Sequence, residues 1–488
     1  MPAQAFGDLV VVIPGILGSR LERKAGAKSS TVWDFSLRHL PALLMTALTQ
    51  GLALEGNGID PPGDGIVAAD LFSYQLLPGY FGVDDYASLV KVLQQSVGTR
   101  QVITFPYDWR LSNRHAGVAL ERQALDALMI WRRESGNGDA KLWLVCHSMG
   151  GLVARYFCEC LGGAAYTRAI AYIGTPHRGS VRALDALVNG KHFGPIDLSR
   201  MVRSLPSTYE LLPRFPVLRG PDGASGSLQR IAEVFGIDPA SGDDLPGWAA
   251  PAAGDPLPLP GLERTMLKRA LEFHAEIRTP VLARAARGEP SPYAQHVFFN
   301  RSQPTARTAR LDGAVLRLCN TQPSLANGVW TESDDRGDGT VPATAALPIE
   351  WSDSHDAVAL AEKHAEMQSV PALQQTLFNR MRPLDARETM GGAPPGPDDI
   401  VALELPSVCV RGEALHVTGA VQRATQGLIE LVHMDTGGRQ SRPFALAGDR
   451  RPVTWEFSGL TPGVHHVTLR PADRTRPVIS DYVLVVEP

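Results

Sequence analysis

Short apolar runs alternate with amphipathic segments over roughly the first 380 residues of the chain. Apolar runs bounded by polar or turn residues predict buried strands at 8–13, 101–105, 141–145, 169–173 and 295–299. Apolar residues at helical spacing predict helices at 80–97, 118–133 and 367–381. Strands that alternate with helices in this way predict a mostly parallel sheet with helices on both faces. We therefore expect an α/β fold.

Two segments interrupt the alternation. Residues 35–54 are apolar with few charges but too short and interrupted to cross a bilayer. They fit either a lid over a lipid-binding cleft or an ordinary core helix, and we assign a lid to about 20–70. Residues 181–292 carry Pro- and Gly-rich pieces between helical segments, which predicts an inserted cap that shapes the substrate site. A hairpin around Asp312 and Gly313 is predicted to follow, with a strand at 316–319.

The pattern changes near residue 388. A Pro- and Gly-rich stretch predicts a linker at 389–397, after an α/β domain at 1–388. Short alternating runs then recur between turns, namely LHVTGAV, GLIELVHM, VTWEFSGL, VHHVTLRP and DYVLVVEP. Regular short strands of this kind predict a small all-β sandwich of immunoglobulin-like type at 398–488.

Charge and composition exclude several classes of protein. The net charge is −4, from 47 basic and 51 acidic residues without a basic run, so we expect no nucleic-acid partner. The N-terminal region lacks the features of a secretory signal, and no uncharged stretch reaches the length of about 18 residues needed for a membrane span. We therefore expect a cytoplasmic protein.

Neither cysteines nor acidic residues are spaced as metal ligands. The five cysteines form no metal-binding spacing, and Cys158 and Cys160, two apart on a predicted helix, point in different directions and are poor disulfide partners. The acidic loop from Asp334 does not fit a calcium loop, because Arg336 and Ala345 stand where ligands are required. We expect reduced thiols, no metal and no cofactor.

The chemistry is concentrated at Ser148. The segment CHSMGG joins the strand at 141–145 directly to a helix that starts near Leu152. A strand that turns into a helix around one serine holds this serine in a strained, exposed position, and small neighbours allow the close approach. Cys146 replaces the usual first glycine of this nucleophile elbow. A buried helix-capping serine is the alternative, but we take Ser148 as a nucleophile.

A second loop, PGILGS, follows the strand at 8–13. Its glycines would let Ile16 or Leu17 present a backbone amide to an oxyanion, and Met149 would present the other. A plain turn is the alternative. We take Leu17, Trp33 and His147 as candidates for substrate binding.

A serine nucleophile requires a histidine base and a carboxylate that orients this base, in the chain order serine, acid, histidine. His364 precedes a predicted helix and is favoured over His355, which lies in a polar turn. Asp338, between two glycines, is favoured as the acid over Asp335.

Three other polar residues are interpreted as non-catalytic. His177 follows the elbow too closely for the base, and Asp108 and Arg110 are expected to form a structural ion pair.

Five segments in order, IPGILGSRLE, FPYDWRLS, CHSMGGLVARY, GDGTVP and KHAEM, resemble the lecithin:cholesterol acyltransferase and lysosomal phospholipase family over roughly residues 8–380. The resemblance implies an α/β-hydrolase fold with lid and cap, acting on acyl esters of lipids without a metal. It implies a triad of Ser148, Asp338 and His364, with oxyanion amides from Ile16 and Met149.

The sequence thus predicts a serine esterase of the lipase or phospholipase type that works through an acyl-enzyme, with hydrolysis and acyl transfer both open. Its expected partners are a lipid or acyl-ester substrate and, peripherally, a membrane surface. The alternatives are an esterase for non-lipid acyl groups and a binding or regulatory protein that keeps a hydrolase fold. A partner of the C-terminal domain cannot be identified from the sequence.

Overall fold

The computed structural model describes most of the chain of 488 residues. The described ranges are 6–26, 28–33, 51–55, 63–71, 86–193, 196–219, 228–240, 242–243, 259–326, 329–334, 336–351, 357–360, 363–381, 401–406, 408–421, 424–434, 436–447, 451–473 and 478–487.

The region up to residue 381 contains both strands and helices. Its described strands are β1 (Leu9–Ile13), β2 (Ser19–Ala25), β3 (Lys28–Trp33), β4 (Ile66–Leu71), β5 (Val102–Thr104), β6 (Leu142–His147), β7 (Thr167–Ile173), β8 (His192–Phe193), β9 (Ile196–Asp197), β10 (Leu218–Arg219), β11 (Leu228–Gln229), β12 (Ala294–Asn300), β13 (Thr308–Asp312), β14 (Val315–Cys319), β15 (Thr321–Ala326), β16 (Val329–Asp334) and β17 (Val358–Leu360). Its described α-helices are α1 (Tyr86–Val97), α2 (Asn113–Ser135), α3 (Gly150–Cys160), α4 (Val181–Val188), α5 (Ser199–Ser204), α6 (Pro206–Glu210), α7 (Ile231–Val234), α8 (Arg264–Ala286) and α9 (Pro371–Met381).

The centre of this region is a six-stranded sheet in the order β17-β12-β7-β6-β1-β5. All five strand pairs are parallel, and Val10 in β1 lies between Val102 of β5 and Trp143 of β6. Parallel neighbours require crossover connections, which the helices supply. The α/β fold expected from the sequence is confirmed, and each predicted buried run up to 299 contributes a strand of this sheet.

Both faces of the sheet are covered. All five residues of β1 are buried, and alternate residues enter two different hydrophobic cores. Leu9, Val11 and Ile13 pack with α2 and α3, whereas Val10 and Val12 pack with α1 and α9. A strand that is buried on both faces has an unbroken run of apolar residues, so these strands can be recognised in the sequence.

The predicted cap region lies between β7 and β12, which are neighbours in the central sheet. Its strands β10 and β11 join the hairpin β13–β14 in a separate four-stranded sheet. The hairpin predicted around Asp312 and Gly313 is thus confirmed, but it pairs with the region at 181–292 and not with the central sheet.

The predicted lid region contains a small antiparallel sheet in the order β3-β2-β4. Most of the apolar segment at 35–54 lies outside the described residues. Within 51–55, Leu52 and Leu54 are buried, and the Leu54 amide donates to the Ser204 hydroxyl of α5 at 2.9 Å.

The region beyond residue 400 is all-β. Its described strands are β18 (Val401–Glu404), β19 (Val408–Val410), β20 (Leu415–Val421), β21 (Thr425–His433), β22 (Arg439–Leu446), β23 (Val453–Phe457), β24 (Gly463–Pro471) and β25 (Ile479–Val486). They form a three-stranded sheet, β18-β20-β23, and a five-stranded sheet, β19-β25-β24-β21-β22, which share one hydrophobic core. This arrangement confirms the all-β sandwich, while the predicted linker at 389–397 lies outside the described residues.

The C-terminal sandwich contacts the α/β region directly. Asp481 of β25 forms an ion pair with Lys363 at 2.5 Å, and the hydroxyl of Ser480 donates to Glu366 at 2.6 Å. The Leu403 amide donates to the side-chain oxygen of Gln303 at 3.2 Å. In the described part of the chain, no helix has the length and apolar character that crossing a membrane requires.

Candidate active site

Ser148 occupies a sharp turn between β6 and α3. Its φ is 49°, and Leu17 with φ 65° is the other non-glycine residue of the described chain in the left-handed region. Such a conformation costs about 1–3 kcal/mol and persists where the surrounding structure enforces it. The Ser148 amide donates to the Ile173 carbonyl of β7 at 2.8 Å, which holds the turn against the sheet.

Two glycines after Ser148 allow α3 to approach its neighbours. A Cβ on Gly150 would lie 2.5 Å from the Pro14 carbonyl oxygen, and one on Gly151 would lie 2.1 Å from the Thr175 hydroxyl oxygen. Both distances are too short for any side chain. The Gly-Gly pair of the motif is therefore required by packing at this turn.

The structure brings Ser148, His364 and Asp338 together although they are far apart in sequence. The His364 Nε2 atom lies 2.8 Å from the Ser148 Oγ atom, and the His364 Nδ1 atom lies 2.7 Å from the Asp338 Oδ2 atom. All three residues are buried. With Nδ1–H donating to the carboxylate, Nε2 can accept the serine proton, which is the geometry that general-base activation requires.

Asp338 is fixed by the turn in which it lies. Its Oδ1 atom accepts from the backbone amides of Thr340 and Val341 at 2.9 and 2.6 Å, which leaves Oδ2 for His364. The two loops are also joined by the His364 amide, which donates to the Asp338 carbonyl at 2.9 Å. A Cβ on Gly174 would lie 3.0 Å from the His364 Nδ1 atom, so this glycine lets the loop after β7 approach the pair.

The loop after β1 lies directly beside Ser148. A Cβ on Gly15 would be 2.9 Å from the Ser148 Cβ atom and 3.5 Å from Oγ. The amides of Ile16 and Met149 have no hydrogen-bond partner among the described residues. Backbone amides of this kind can stabilise a negatively charged oxygen, as the sequence predicts for these two residues.

Four aromatic side chains hold this loop through their polar atoms. The Tyr86 hydroxyl accepts from the Gly15 amide at 2.8 Å, and the Tyr107 hydroxyl donates to the Pro14 carbonyl at 3.0 Å. The indole N–H groups of Trp33 and Trp109 donate to the carbonyls of Leu17 and Ser19. All four side chains are buried, so contacts within the protein hold the loop in place.

His147 connects the loop after β1 with His364. Its Nε2 atom lies 3.0 Å from the His364 carbonyl oxygen, and its Nδ1 atom lies 2.9 Å from the Tyr86 hydroxyl. Because a carbonyl can only accept, Nε2 carries the hydrogen and Nδ1 accepts from Tyr86. Burial, with the adjacent His364, lowers the pKa of His147 to about 3, so its ring is neutral at physiological pH.

Two of the candidates for substrate binding also contact protein atoms. Trp33 and His147 are buried and hydrogen-bonded to the carbonyls of Leu17 and His364, and their contact with substrate stays a prediction. Leu17 is also buried, with only 6 % of its surface exposed.

The structure gives different results for the other polar residues considered in the sequence. His355 and Asp335 lie outside the described residues. Asp108 and Arg110 form the expected ion pair at 2.7 Å, in which fully buried Arg110 also bonds Asp64. His177 is not part of the cluster around Ser148 but stacks edge-on against Tyr172.

Sequence reasoning missed the contributions of Tyr86 and Gly174. Tyr86 is one apolar-face residue of a predicted helix, and nothing nearby in sequence marks its hydroxyl as a partner of Gly15 and His147. Among the described residues, no cluster of three or more His, Cys, Asp or Glu side chains could hold a metal ion. All five cysteines are free thiols.

Comparison with known proteins finds similarity to one family over the segment that contains Ser148. The model of the lecithin:cholesterol acyltransferase family matches residues 42–227, which include Ser148 but less than half of the chain. Phospholipid:diacylglycerol acyltransferase 1 from Arabidopsis thaliana is 28% identical over 208 residues, 37% of this chain and 30% of that protein. The chain thus spans less than a third of this curated relative. The resemblance inferred from the motifs is confirmed over this range.

Among solved structures, a chain of the Tle4–Tli4 complex aligns with a TM-score of 0.46 and 18% identity, over 78% of this chain and 98% of that one. The Bacillus licheniformis lipase BlEst2 in its propeptide form aligns with a TM-score of 0.29 and 9% identity, over 99% of this chain and 94% of that one. The fold assignment rests on the strand order of the central sheet and not on these alignments.

Proposed function

We propose, from the resemblance to the lecithin:cholesterol acyltransferase family, that this protein is a serine esterase acting on acyl esters of lipids through an acyl-enzyme. The observation that carries the proposal is the chain of contacts from Ser148 Oγ to His364 Nε2 at 2.8 Å and from His364 Nδ1 to Asp338 Oδ2 at 2.7 Å. Its position beside the amides of Ile16 and Met149 supports the same chemistry.

In the acylation step, the Ser148 oxygen attacks the ester carbonyl while its proton passes to His364 Nε2. The carboxylate of Asp338 stabilises the resulting imidazolium. The negative charge that develops on the carbonyl oxygen is stabilised by the Ile16 and Met149 amides, which need no reorganisation because the loop is already held. Collapse of the tetrahedral intermediate breaks the ester bond, and His364 donates the proton to the leaving alcohol.

Deacylation repeats these steps in reverse with a new nucleophile. A water molecule activated by His364 releases a free fatty acid, whereas an alcohol yields a new ester. The related proteins are named for transfer to an acyl acceptor, so acyltransfer is a second activity of the same acyl-enzyme.

Ester hydrolysis provides the direct test. We would measure turnover of p-nitrophenyl esters from acetate to palmitate, with detergent present, by the native protein and by Ser148→Ala. We expect the substitution to lower kcat by at least about 10⁴-fold. Ser96→Ala is the matched control, because its hydroxyl bonds the Val92 carbonyl within α1.

A fluorophosphonate probe gives an independent readout. Its phosphorus would bond to the Ser148 oxygen with loss of fluoride, and peptide mapping would locate the label. Labelling of another residue, or equal turnover by the native protein and Ser148→Ala, would contradict the assignment of Ser148 as the nucleophile. An optimum at acetate that persists with detergent would contradict a lipid substrate while leaving the triad intact.

A further inference from the structure

A small polar cavity lies where the elbow helix α3 packs against the long helix α8. The rings of Tyr156 in α3 and Phe273 in α8 stack 5.6 Å apart at this contact. The cavity has a volume of about 20 Å³, which suffices for one occupant of the size of a water molecule. Its polar lining consists of cations and imidazoles, from Arg155, His177, Arg214, His274 and Arg278.

The positive charges of this lining are not balanced. Arg155 is neutralised by a two-point ion pair with Glu350, at 2.7 and 3.1 Å. The guanidinium groups of Arg214 and Arg278 form no hydrogen bond or ion pair with any described residue. Within the described chain, no carboxylate lines the cavity.

Arg214 stays charged in this setting. Burial, together with repulsion from Arg278 and Arg178, lowers the pKa of Arg214 to about 10, which is still well above neutral pH. Its Nε atom is buried without a partner. Burying a charge costs free energy unless an opposite charge is buried beside it.

His177 provides an unused donor at the same place. The residue is only 5 % exposed, and its Nε2 atom is buried without a hydrogen-bond partner. Burial holds the pKa of His177 well below its usual value, so the ring is neutral and can carry its hydrogen on Nε2. Buried polar atoms without protein partners are usually satisfied by a bound water or ion.

We propose that this cavity binds one small monovalent anion of the halide class, held by Arg214, Arg278 and His177. The volume excludes larger oxyanions and organic anions, and the surplus of positive charge favours an anion over water. The bound anion connects α8, the loop after β7 and the segment after α6 that carries Arg214, beside Leu152 and Arg155 of α3. The proposal is independent of the substrate of the enzyme.

Crystals of the full chain grown in sodium bromide would locate the anion by its anomalous scattering. We expect a bromide peak within about 3.5 Å of both the Arg214 guanidinium and His177 Nε2. A map that shows a water molecule or nothing in the cavity, with bromide at other positions, would overturn the proposal. This experiment needs no variant.

Thermal unfolding supplies a second test. At equal ionic strength, replacing sodium gluconate with sodium chloride should raise the Tm of the native protein by about 2 °C, because gluconate cannot enter the cavity. Arg214→Met should abolish this response. In gluconate its Tm should equal or exceed that of the native protein, because a buried unpaired charge is removed.

Arg219→Gln is the matched control. Arg219 is a partly buried arginine that has a carboxylate partner, Glu332, at 2.8 Å. Its replacement should lower the Tm in both salts while leaving the chloride response unchanged. An equal chloride response in Arg214→Met and Arg219→Gln would mean that the anion does not bind in this cavity.

Discussion

At the scale of single residues, Tyr86 joins the loop after β1 to His147, which contacts His364. Its hydroxyl accepts from the Gly15 amide and donates to His147, which in turn donates to the His364 carbonyl. One oxygen atom is therefore hydrogen-bonded both to the loop that carries the Ile16 amide and, through His147, to the residue that would act as the base in the proposed mechanism. Neither Tyr86 nor His147 needs to touch the substrate to influence the rate.

We predict that Tyr86→Phe lowers kcat by about 10- to 100-fold and changes KM little, because positioning is lost and not binding. The steady-state rates on a soluble p-nitrophenyl ester give both constants. Tyr166→Phe, which removes a hydroxyl at the end of the turn after α3, is the control and should be neutral. A rise in KM at constant kcat would instead indicate a direct contact with the substrate.

Sequence reasoning found the residues that carry the proposed chemistry but not those that hold them. Ser148 and Asp338 are marked by glycines next to them, and His364 by its place before a helix. The roles of Tyr86, Trp33 and His147 depend on which loops meet in space. A hydrogen bond such as that between the Trp33 indole and the Leu17 carbonyl has no local signature, so these side chains were either missed or assigned to substrate.

At the scale of elements, the C-terminal sandwich contacts the loops that carry Asp338 and His364. Lys363 and Glu366, on either side of His364, bond to Asp481 and Ser480 of β25. Gln303 exchanges two backbone hydrogen bonds with Gly337, next to Asp338, and accepts from Leu403 of β18. These contacts brace both loops from one side.

We predict that Asp481→Asn lowers kcat by about 3- to 10-fold, since the loop that carries His364 loses its tether. The rate of fluorophosphonate labelling at Ser148 should fall in parallel. Glu487→Gln, which breaks an exposed ion pair with Arg411 just beyond the same strand, is the matched control. Equal rates in both variants would show that the sandwich does not position the base.

Strands could be predicted from the sequence where all of their residues, or every second residue, are buried. The inner strands β1 and β6 of the central sheet are buried throughout, and β20 is buried at every second residue. The strand β22 was missed because it is largely exposed, carries two arginines and contains Pro443, which is tolerated at the edge of a sheet. The strand β2 was missed because its sequence, SRLERKA, has no apolar pattern.

At the scale of the whole molecule, several buried or half-buried histidines make stability depend on pH. Burial lowers the pKa of His147 to about 3 and that of His296 to about 4, and it holds the pKa values of His177 and His274 well below normal. These rings are neutral in the folded protein but take up protons when it unfolds below about pH 6.5. Stability is therefore fully present above that pH and is lost as the pH falls toward 4 and below.

We predict that His296→Gln reduces this acid sensitivity. Each such histidine contributes a slope of up to about 1.4 kcal/mol per pH unit to the free energy of unfolding. Urea unfolding of the native protein and the variant at pH 7.5, 6.0 and 5.0 measures the difference. His416→Gln, at an exposed position in β20, is the control. If the free energy of unfolding of His296→Gln depended on pH as steeply as that of the native protein, His296 would not contribute to the acid sensitivity.

During translation Ser148 is synthesised well before His364, because 216 residues separate the two. A ribosome that adds about 5–20 residues per second completes Ser148 and the amides of Ile16 and Met149 roughly 10–45 s before it reaches His364. During that interval the nascent chain has a serine with nothing to remove its proton. If the proposed mechanism is right, the order of these residues along the chain keeps the esterase inactive until His364 has been translated.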